Sequence, residues 1–391
     1  MFPLMLLVII YIAFISLGLP DSMVGAAWPV MYSDLGVPVS FAGMISLTIC
    51  LGTTLSSLVY SRLSQRFTTW GITSVSVAMT AVSLLLYSIA PSFAVILLIS
   101  LVLGMGAGAV DAGLNNYVAL HYRARAMNFL HAFWGMGTLV GPFLLSYYFA
   151  NGISWRCGYL TIGSIQSAVC ILLILSMPLW RKAGEKPIAE EGKEPKLHQE
   201  TLPLLAAIRL PGAKAAMLGF FSYCAMEQTS MLWASTFLVS IKGFTESAAA
   251  ASAGLLFWGI TTGRILSGLI ADKIRGRHMI RASQCSILIG IILVALSPEW
   301  MAGGALFFLG MGFGPIYPTM LHQTPEYFGI EHSGRIMGLE MTSAYLSCAL
   351  MPAFFGIIGR GISMLLFPFY VLLFLALNAA ATETKARIRR I

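Results

Sequence analysis

Charged residues are scarce in this sequence: they make up 10% of its 391 residues, while hydrophobic residues make up 58%. This composition excludes a soluble domain of ordinary type, in which about a quarter of the residues carry charge. The six cysteines stand singly in apolar surroundings, and their spacing matches neither a metal site nor a redox motif. No basic stretch precedes the first apolar segment, so we expect that segment to be retained rather than cleaved as a signal peptide.

The residue patterns of common catalytic centres are also missing. No arrangement resembles a Ser/His/Asp or Cys/His nucleophile. The glycine-rich stretches at residues 104–108 and 310–314 are not preceded by a predicted strand, which a nucleotide-binding fingerprint requires. These glycines instead favour close helix packing in a membrane. We therefore expect no enzyme, no cofactor and no metal site.

Long apolar runs, in contrast, fill most of the chain. Crossing a bilayer takes about 20 mostly apolar residues per helix. Twelve stretches of that kind lie at residues 4–32, 39–60, 69–89, 94–119, 127–150, 157–179, 213–239, 248–271, 279–297, 300–322, 334–358 and 362–381. They predict an all-α membrane protein with twelve transmembrane helices.

The second half of the chain repeats the first. Residues 41–63 align with residues 252–274 at a shift of 211, and seven of the twenty-three positions are identical. Two homologous membrane halves are typical of secondary transporters. We predict two pseudo-symmetric six-helix bundles, at residues 1–180 and 212–381, joined by a polar cytoplasmic linker at 181–211 and followed by a basic cytoplasmic tail at 382–391.

The net charge of +8 is distributed as a membrane topology requires. With the N-terminus assigned to the cytoplasm, twenty of the 24 Lys and Arg residues fall on the cytoplasmic side, three fall outside and one lies within a span. This positive-inside bias predicts that both termini are cytoplasmic. The basic residues thus indicate contact with anionic lipid headgroups rather than with nucleic acid. We expect a monomer in a plasma or inner membrane.

The loop at residues 268–277, GLIADKIRGR, carries the sharpest motif. It resembles the loop signature of the major facilitator superfamily, whose fold of two six-helix bundles also matches the predicted topology. The resemblance implies transport by alternating access. Asp272 would pair with Arg335 to hold the cytoplasmic side shut, with Arg275 and Arg277 in the same gate. The N-terminal copy of the loop lacks the acid and the glycine of the signature.

Within the superfamily, helices four and five resemble the fucose permease group of sugar–proton symporters. The resemblance lies in GMGAGAVDAGLNNY at residues 104–117 and in MNFLHAFWG at residues 127–135. It implies that Asp111 and Asp21 are the proton-coupling and sugar-contacting carboxylates. His131 and Trp134 stand where that group has polar amides, so the solute need not be fucose or a free monosaccharide.

The residues around Asp111 in the sequence make it the strongest candidate for proton coupling. It lies among glycines and alanines, where a neighbouring helix can approach and partly desolvate the carboxylate, and a desolvated acid suits reversible protonation. Asn115 lies one turn further on the same helix face, with Asn116 beside it, and can bond to the acid or to a sugar hydroxyl. The structural alternative is an Asp that bonds to a neighbouring helix.

Asp21 and Glu227 are related by the repeat, at a shift of 206, and we expect both to face one central cavity. Gln228 adds an amide and Trp233 a flat apolar surface, and sugars need both hydroxyl acceptors and an aromatic face. Because Asp21 follows Pro20, it could instead cap backbone amides freed at a kink.

Arg264 and Glu340 lie at similar depth near the cytoplasmic ends of their helices, so we predict an ion pair between them. The pair could be a gate, a static strut, or a site for an anionic solute such as a sugar acid, since a guanidinium matches a carboxylate.

His131 suits a proton relay with Asp111, a bond to substrate or a bond to backbone. Four aromatic residues could line the cavity or simply pack: Trp134, Trp258, Tyr317 and Tyr345.

These residues together predict a proton-coupled symporter that takes up a sugar or a sugar-like solute. The main alternative is a proton-driven exporter of apolar or cationic compounds. Sodium coupling and transport of sugar acids also stay open. A receptor of this fold that binds a ligand without moving it belongs to a different class, and the sequence offers no signalling domain to support it.

Overall fold

The computed structural model describes residues 2–64, 66–122, 124–182, 204–270, 273–296, 298 and 301–388. The chain divides into two compact units, Met1–Leu197 and His198–Ile391. The boundary falls within the predicted linker at 181–211, most of which lies outside the described residues. Each unit is built from helices, and each is taken below on its own.

The first unit begins with two helices that share one predicted span. α1 (Phe2–Asp21) and α2 (Met23–Asp34) are interrupted at Ser22. The interruption follows Pro20, whose ring removes a backbone donor and disfavours a regular helix. After a short 3₁₀ turn at Val39–Phe41, the unit continues with α3 (Ala42–Leu63), α4 (Thr69–Ile89), α5 (Phe93–His121), α6 (Ala124–Ala150), α7 (Trp155–Leu175) and α8 (Met177–Lys182).

The second unit comprises α9 (Leu204–Arg209), α10 (Ala213–Lys242), α11 (Glu246–Ile270), α12 (Gly276–Leu296), α13 (Ala302–Gly361) and α14 (Phe367–Ile388). α13 continues through the loop predicted between spans ten and eleven and breaks only at Gly329, where φ is 76° and a glycine is favoured. α14 extends to Ile388, so the part of the predicted tail from residue 382 to that point is helical.

Eleven stretches within the described helices are long and apolar enough to cross a membrane. The remaining predicted span, at residues 213–239, corresponds to α10, a 30-residue helix that is not among the eleven. Its apolar character is reduced by polar side chains that include Glu227 and Gln228. The prediction of an all-helical membrane fold is confirmed.

Glycines bring the helices of each unit into close contact. α5 packs on α3 and α4 in the first unit, and α13 packs on α11 and α12 in the second. A Cβ atom built on Gly104 would overlap the carbonyl oxygen of Ile49, and one built on Gly310 would overlap that of Leu256. The glycine stretches predicted to be packing faces therefore serve as such in both halves of the repeat.

A third close crossing positions the candidate site. α1 and α6 meet where a Cβ atom on Gly18 would overlap the carbonyl oxygen of Trp134, and one on Gly137 would overlap that of Ile15. This backbone approach sets the end of α1 against the side chains that α6 presents one turn away. It brings Asp21 to Trp134.

Candidate functional site

The last residue of α1, Asp21, is bonded to a tryptophan on α6. The indole Nε1 of Trp134 donates a hydrogen bond of 2.8 Å to Asp21 Oδ2. Asp21 is exposed and Trp134 is half-buried. Although the helix does break next to Asp21, the described bond of its carboxylate goes to another helix, which favours the site interpretation over capping of a kink.

The Asp111 carboxylate on α5 is held by the neighbour predicted from spacing. Asn115 Nδ2 donates to Asp111 Oδ1 at 2.8 Å and to the Asp111 carbonyl oxygen at 3.0 Å. Asp111 lies close enough to Asp21 for the two carboxylates to repel each other electrostatically. In the described part of the chain, neither acid forms an ion pair with a basic side chain.

His131 and Asn116 lie in the same unit but do not bond to Asp111. The hydrogen bonds to Asp111 among the described residues come from Asn115. His131 is exposed, with its ring edge-on to Phe14 at a centroid distance of 5.8 Å. Asn116 is half-buried. A proton relay through His131 stays a prediction, and it would need an intervening group or a movement.

In the second unit, a buried acid, a tyrosine and an arginine form one cluster. Glu227 on α10 is 5% exposed. The hydroxyl of Tyr223, one turn earlier, donates to Glu227 Oε1 at 2.6 Å. Arg264 Nη2 on α11 lies 3.5 Å from the same oxygen. The partner predicted for Arg264 was wrong: its described ion pair is with Glu227, and Glu340 is not part of it.

Glu340, on the second part of α13, is fully buried and has different neighbours. Thr324 Oγ1 lies 2.9 and 3.0 Å from its two carboxylate oxygens. Lys385 on α14 is 4% exposed, interacts electrostatically with Glu340, and places Nζ 4.5 Å from the ring centre of Tyr327. The pairing of Arg264 with Glu340 was predicted because the sequence places both residues at a similar depth in the membrane. Depth does not determine which helix faces meet.

Trp233, predicted to offer its face to a sugar, is fully buried. Its Nε1 donates to the carbonyl oxygen of Pro352 at 2.8 Å and its ring packs edge-on against Phe355. The prediction is corrected, because a side chain enclosed in helix packing presents no free surface to a solute. Gln228, five residues before it, is half-buried.

The other aromatic candidates differ in exposure. Tyr317 is half-buried, packs against Phe220 and Tyr223, and donates to Met341 Sδ at 3.0 Å. Trp258 and Tyr345 are 51% and 44% exposed. Of the three, Tyr317 lies beside the Glu227 cluster.

The predicted cytoplasmic gate is described only in part. Asp272 and the side chain of Arg335 lie outside the described residues, and Arg275 is exposed. Arg277 forms an ion pair with Glu383 on α14. Arg281 Nε and Nη2 bond to the two oxygens of the same carboxylate at 2.6 and 2.9 Å.

Tyr223 and Glu383 were not predicted to belong to a site, although a sequence feature could have indicated each of them. Tyr223 precedes Glu227 by four residues, the spacing at which side chains meet on a helix. Glu383 is the single acid in the basic C-terminal segment.

Within the described ranges, no group of three or more His, Cys, Asp or Glu side chains is placed to hold a metal ion.

Comparison with known proteins gives a family and a fold. The family model of the Major Facilitator Superfamily matches residues 10–352. An uncharacterized transporter of Sinorhizobium fredii is 22% identical over 363 residues, which cover 90% of each chain. Bypass of stop codon protein 6 of Saccharomyces cerevisiae is 24% identical over 281 residues; these cover 67% of this chain but only 56% of the yeast protein.

A solved structure shares the fold over nearly the whole chain. The nucleoside transporter NupG, solved as a mutant, superimposes with a TM-score of 0.77 at 10% identity, covering 97% of this chain and 98% of that one. None of these three proteins is described as a fucose permease. The comparisons therefore support the superfamily and leave the narrower resemblance as a proposal.

Proposed function

We propose that this chain, which belongs to the Major Facilitator Superfamily and is thus a multi-pass membrane transporter rather than an enzyme, takes up a sugar or a sugar-like solute together with protons. The observation that carries the proposal is the pair of carboxylates in the first unit. Asp21 and Asp111 repel each other, and neither is matched by a described basic side chain.

Two unmatched carboxylates in a membrane protein favour binding of a cation. On insertion scales a charge near the middle of a membrane helix costs about 2.5–3.5 kcal/mol, so a membrane acid without a basic partner is by default a candidate functional residue. A proton on Asp111 removes one charge and the repulsion with it. Asn115 can keep its bond to the neutral acid, because a carbonyl oxygen still accepts.

Asp21 and Trp134 have the chemistry that a sugar requires. A carboxylate accepts hydrogen bonds from paired hydroxyl groups, and an indole offers a flat face to the C–H side of a pyranose ring. The bond between them fixes the orientation of both groups. Asn115 and Asn116 add amide donors on α5. The fucose permease resemblance supports the same assignment.

Coupling follows from charge. The protonated, loaded transporter carries less uncompensated charge than the empty, ionised one, so it changes conformation more readily. Alternating access would then move the solute and the proton in the same direction, without ATP.

The test uses purified protein in proteoliposomes with a pH indicator in the lumen. Neutral sugars, polyols and sugar acids are added outside in turn. We expect one class to acidify the lumen, and we expect Asp111→Asn to abolish acidification while exchange of labelled solute across the membrane persists. The control is Asp34→Asn, which alters an acid paired with Arg156 and should behave as wild type. Unchanged proton-coupled accumulation in Asp111→Asn contradicts the proposal.

The same carboxylates also suit an exporter, because an organic cation would neutralise them as a proton does. Dye export driven by a proton gradient, with no response to any sugar, would favour that function. Solute uptake driven by sodium without lumenal acidification would identify sodium as the coupling ion. We further propose that the protein works as a monomer in the plasma or inner membrane. The charge distribution described above supports the proposal that both termini are cytoplasmic.

A further inference from the structure

We infer that the place where α12 begins and α14 ends is a binding site for an anionic phospholipid, whose phosphate is held by Arg277 and Arg281 and whose acyl chain runs along α12. The site belongs to the second unit and uses none of the residues of the transport site proposed above. The inference therefore goes beyond the proposed function, and it can be tested without measuring transport.

Two arginines of α12 share one carboxylate of α14. Arg281 Nε and Nη2 bond to the two oxygens of Glu383 at 2.6 and 2.9 Å, and Arg277 Nη2 bonds to Oε2 of the same residue. Ile280 and Thr382 line the same small pocket. Two positive charges thus meet a single negative charge, so this group of three ionised side chains keeps a positive charge in excess.

Lys385 also lines this pocket, but its charge is directed into the protein. It is 4% exposed, its Nζ lies 4.5 Å from the ring centre of Tyr327, and it interacts electrostatically with Glu340 and Glu326. The excess charge that an outside anion can reach is therefore that of the two arginines.

Both guanidinium groups have donors that a phosphate can use. A guanidinium carries five N–H donors in a planar fork that matches phosphate oxygens. Arg277 Nε is enclosed and has no hydrogen-bond partner among the described residues. The described bonds of Arg281 leave its Nη1 group unused, and its side chain is 49% exposed. Arg281 is thus the group that an incoming phosphate meets first, and Arg277 lies behind it.

An exposed apolar stripe of α12 continues from Arg281. Leu288, Ile289 and Ile292 are exposed and follow Arg281 by seven, eight and eleven residues, so they lie on the same side of the helix. At 1.5 Å per residue, Leu288 is about 10 Å further along the axis than Arg281. α12 is long and apolar enough to cross a membrane, so its exposed stripe suits an acyl chain.

The two features together point to a phospholipid. A soluble anion would use the arginines but not the stripe, and a neutral lipid would use the stripe but not the excess charge. Basic residues at the membrane ends of helices attract anionic headgroups. Arg275 and Arg387, exposed near the same two helix ends, add to the positive charge of the surroundings.

The experiment compares two lipids with the same acyl chains, dioleoylphosphatidylglycerol and dioleoylphosphatidylcholine, of which only the first carries a net charge. Each is added to the purified full chain in a neutral detergent, and native mass spectrometry counts the lipid molecules bound. We expect the phosphatidylglycerol to bind at lower concentration and to raise the melting temperature. Glycerol 3-phosphate tests the headgroup without the chains and should have no effect at the same concentrations.

Variants at the arginines test the assignment. Arg281→Gln should raise the concentration of phosphatidylglycerol that gives half occupancy by about tenfold, because a charge-assisted hydrogen bond is lost. Arg281→Lys should raise it less, because a lysine keeps the charge but not the guanidinium fork. The matched control is Arg209→Gln, at an exposed arginine of α9 in the same unit, which should leave the preference for phosphatidylglycerol intact.

Glu383→Gln separates lipid binding from stability. Without lipid this variant should melt at a lower temperature, since two arginines lose the carboxylate that they share. It should nevertheless bind phosphatidylglycerol more tightly than the wild type, because the positive charge of the site has grown. Weaker binding in this variant would show that the three side chains only hold α12 to α14.

Three further results would overturn the inference: equal binding of the two lipids, a preference that survives the double change Arg277→Gln with Arg281→Gln, or an equal loss of preference in Arg209→Gln. Stabilisation by glycerol 3-phosphate alone that depends on Arg281 would overturn the lipid assignment and indicate a site for a soluble phosphate.

Discussion

Trp134 and Asp21 are joined by a hydrogen bond of 2.8 Å that links α6 to α1 across 113 positions of sequence. The same unit contains a second bond of this type, in which Trp155 Nε1 donates to Asp34 Oδ2 at 3.0 Å. The two differ in charge balance. Asp34 is also paired with Arg156 at 3.6 Å, whereas Asp21 has no basic partner in the described residues. The Trp155–Asp34 bond therefore has the same donor and acceptor types as the Trp134–Asp21 bond, but its carboxylate is paired with an arginine.

Replacing Trp134 by Phe should weaken solute binding. The change keeps an aromatic ring but removes the donor that orients Asp21, and a hydrogen bond to a charged group contributes about 1.5–3 kcal/mol. We expect the half-saturation concentration for uptake to rise about tenfold or more. Trp155→Phe removes the matched bond and should leave that concentration within about twofold of wild type. Equal effects of the two changes would show that Trp134 acts only through stability.

Spacing along one helix predicted the local part of the site. The bond between Asn115 and Asp111 follows from a separation of four residues, and the packing of Gly104 and Gly310 follows from the repeat. Both depend on one helix or on one recurring crossing, so a linear pattern contains the information.

Contacts between helices were harder to predict. The pairing of Trp134 with Asp21 depends on the register of α1 against α6, which is set by the Gly18–Gly137 crossing. The partner of Arg264 depends on how α10, α11 and α13 are rotated about their axes. Depth in the membrane can be estimated from the sequence, but the rotation of a helix about its axis cannot. The prediction therefore paired Arg264 with Glu340 instead of with Glu227.

Gly104→Ala should destabilise the first unit, although alanine is the better helix former. Its Cβ would overlap the Ile49 carbonyl, so α3 and α5 would have to separate. The matched change is Gly304→Ala, at a helical glycine where a Cβ would meet nothing within 4 Å. That change should be neutral or stabilising by up to about 1 kcal/mol. Thermal unfolding of both variants tests the difference, and a lower melting temperature for Gly304→Ala would contradict it.

The orientation in the membrane can be tested by labelling single cysteines in a variant without the six native ones. Asn151 and Lys273 are exposed residues at loops that the charge distribution places on opposite sides. A membrane-impermeant maleimide applied to intact cells should label Asn151→Cys directly. It should reach Lys273→Cys only after permeabilisation. The reverse pattern would place both termini outside.

Glu340 and Lys385 should depend on each other for stability. Both are almost completely buried and they interact electrostatically, while Thr324 also bonds to the acid. Removing one of two buried charges that attract each other leaves the other less well compensated, which destabilises the folded state. Lys385→Met and Glu340→Gln should therefore each lower the melting temperature of the purified protein by several degrees.

The double variant decides whether the two effects are coupled. When both charges are gone, no buried charge of the pair is left unmatched, so Lys385→Met with Glu340→Gln should be more stable than the sum of the single effects predicts. Glu326 also faces Lys385 and can partly compensate it, so Glu340→Gln should be the milder single change. Lys214→Met, at an exposed lysine on α10, controls for the loss of a positive charge. If the single effects are additive, Glu340 and Lys385 do not stabilise each other, and Thr324 and Glu326 stabilise them instead.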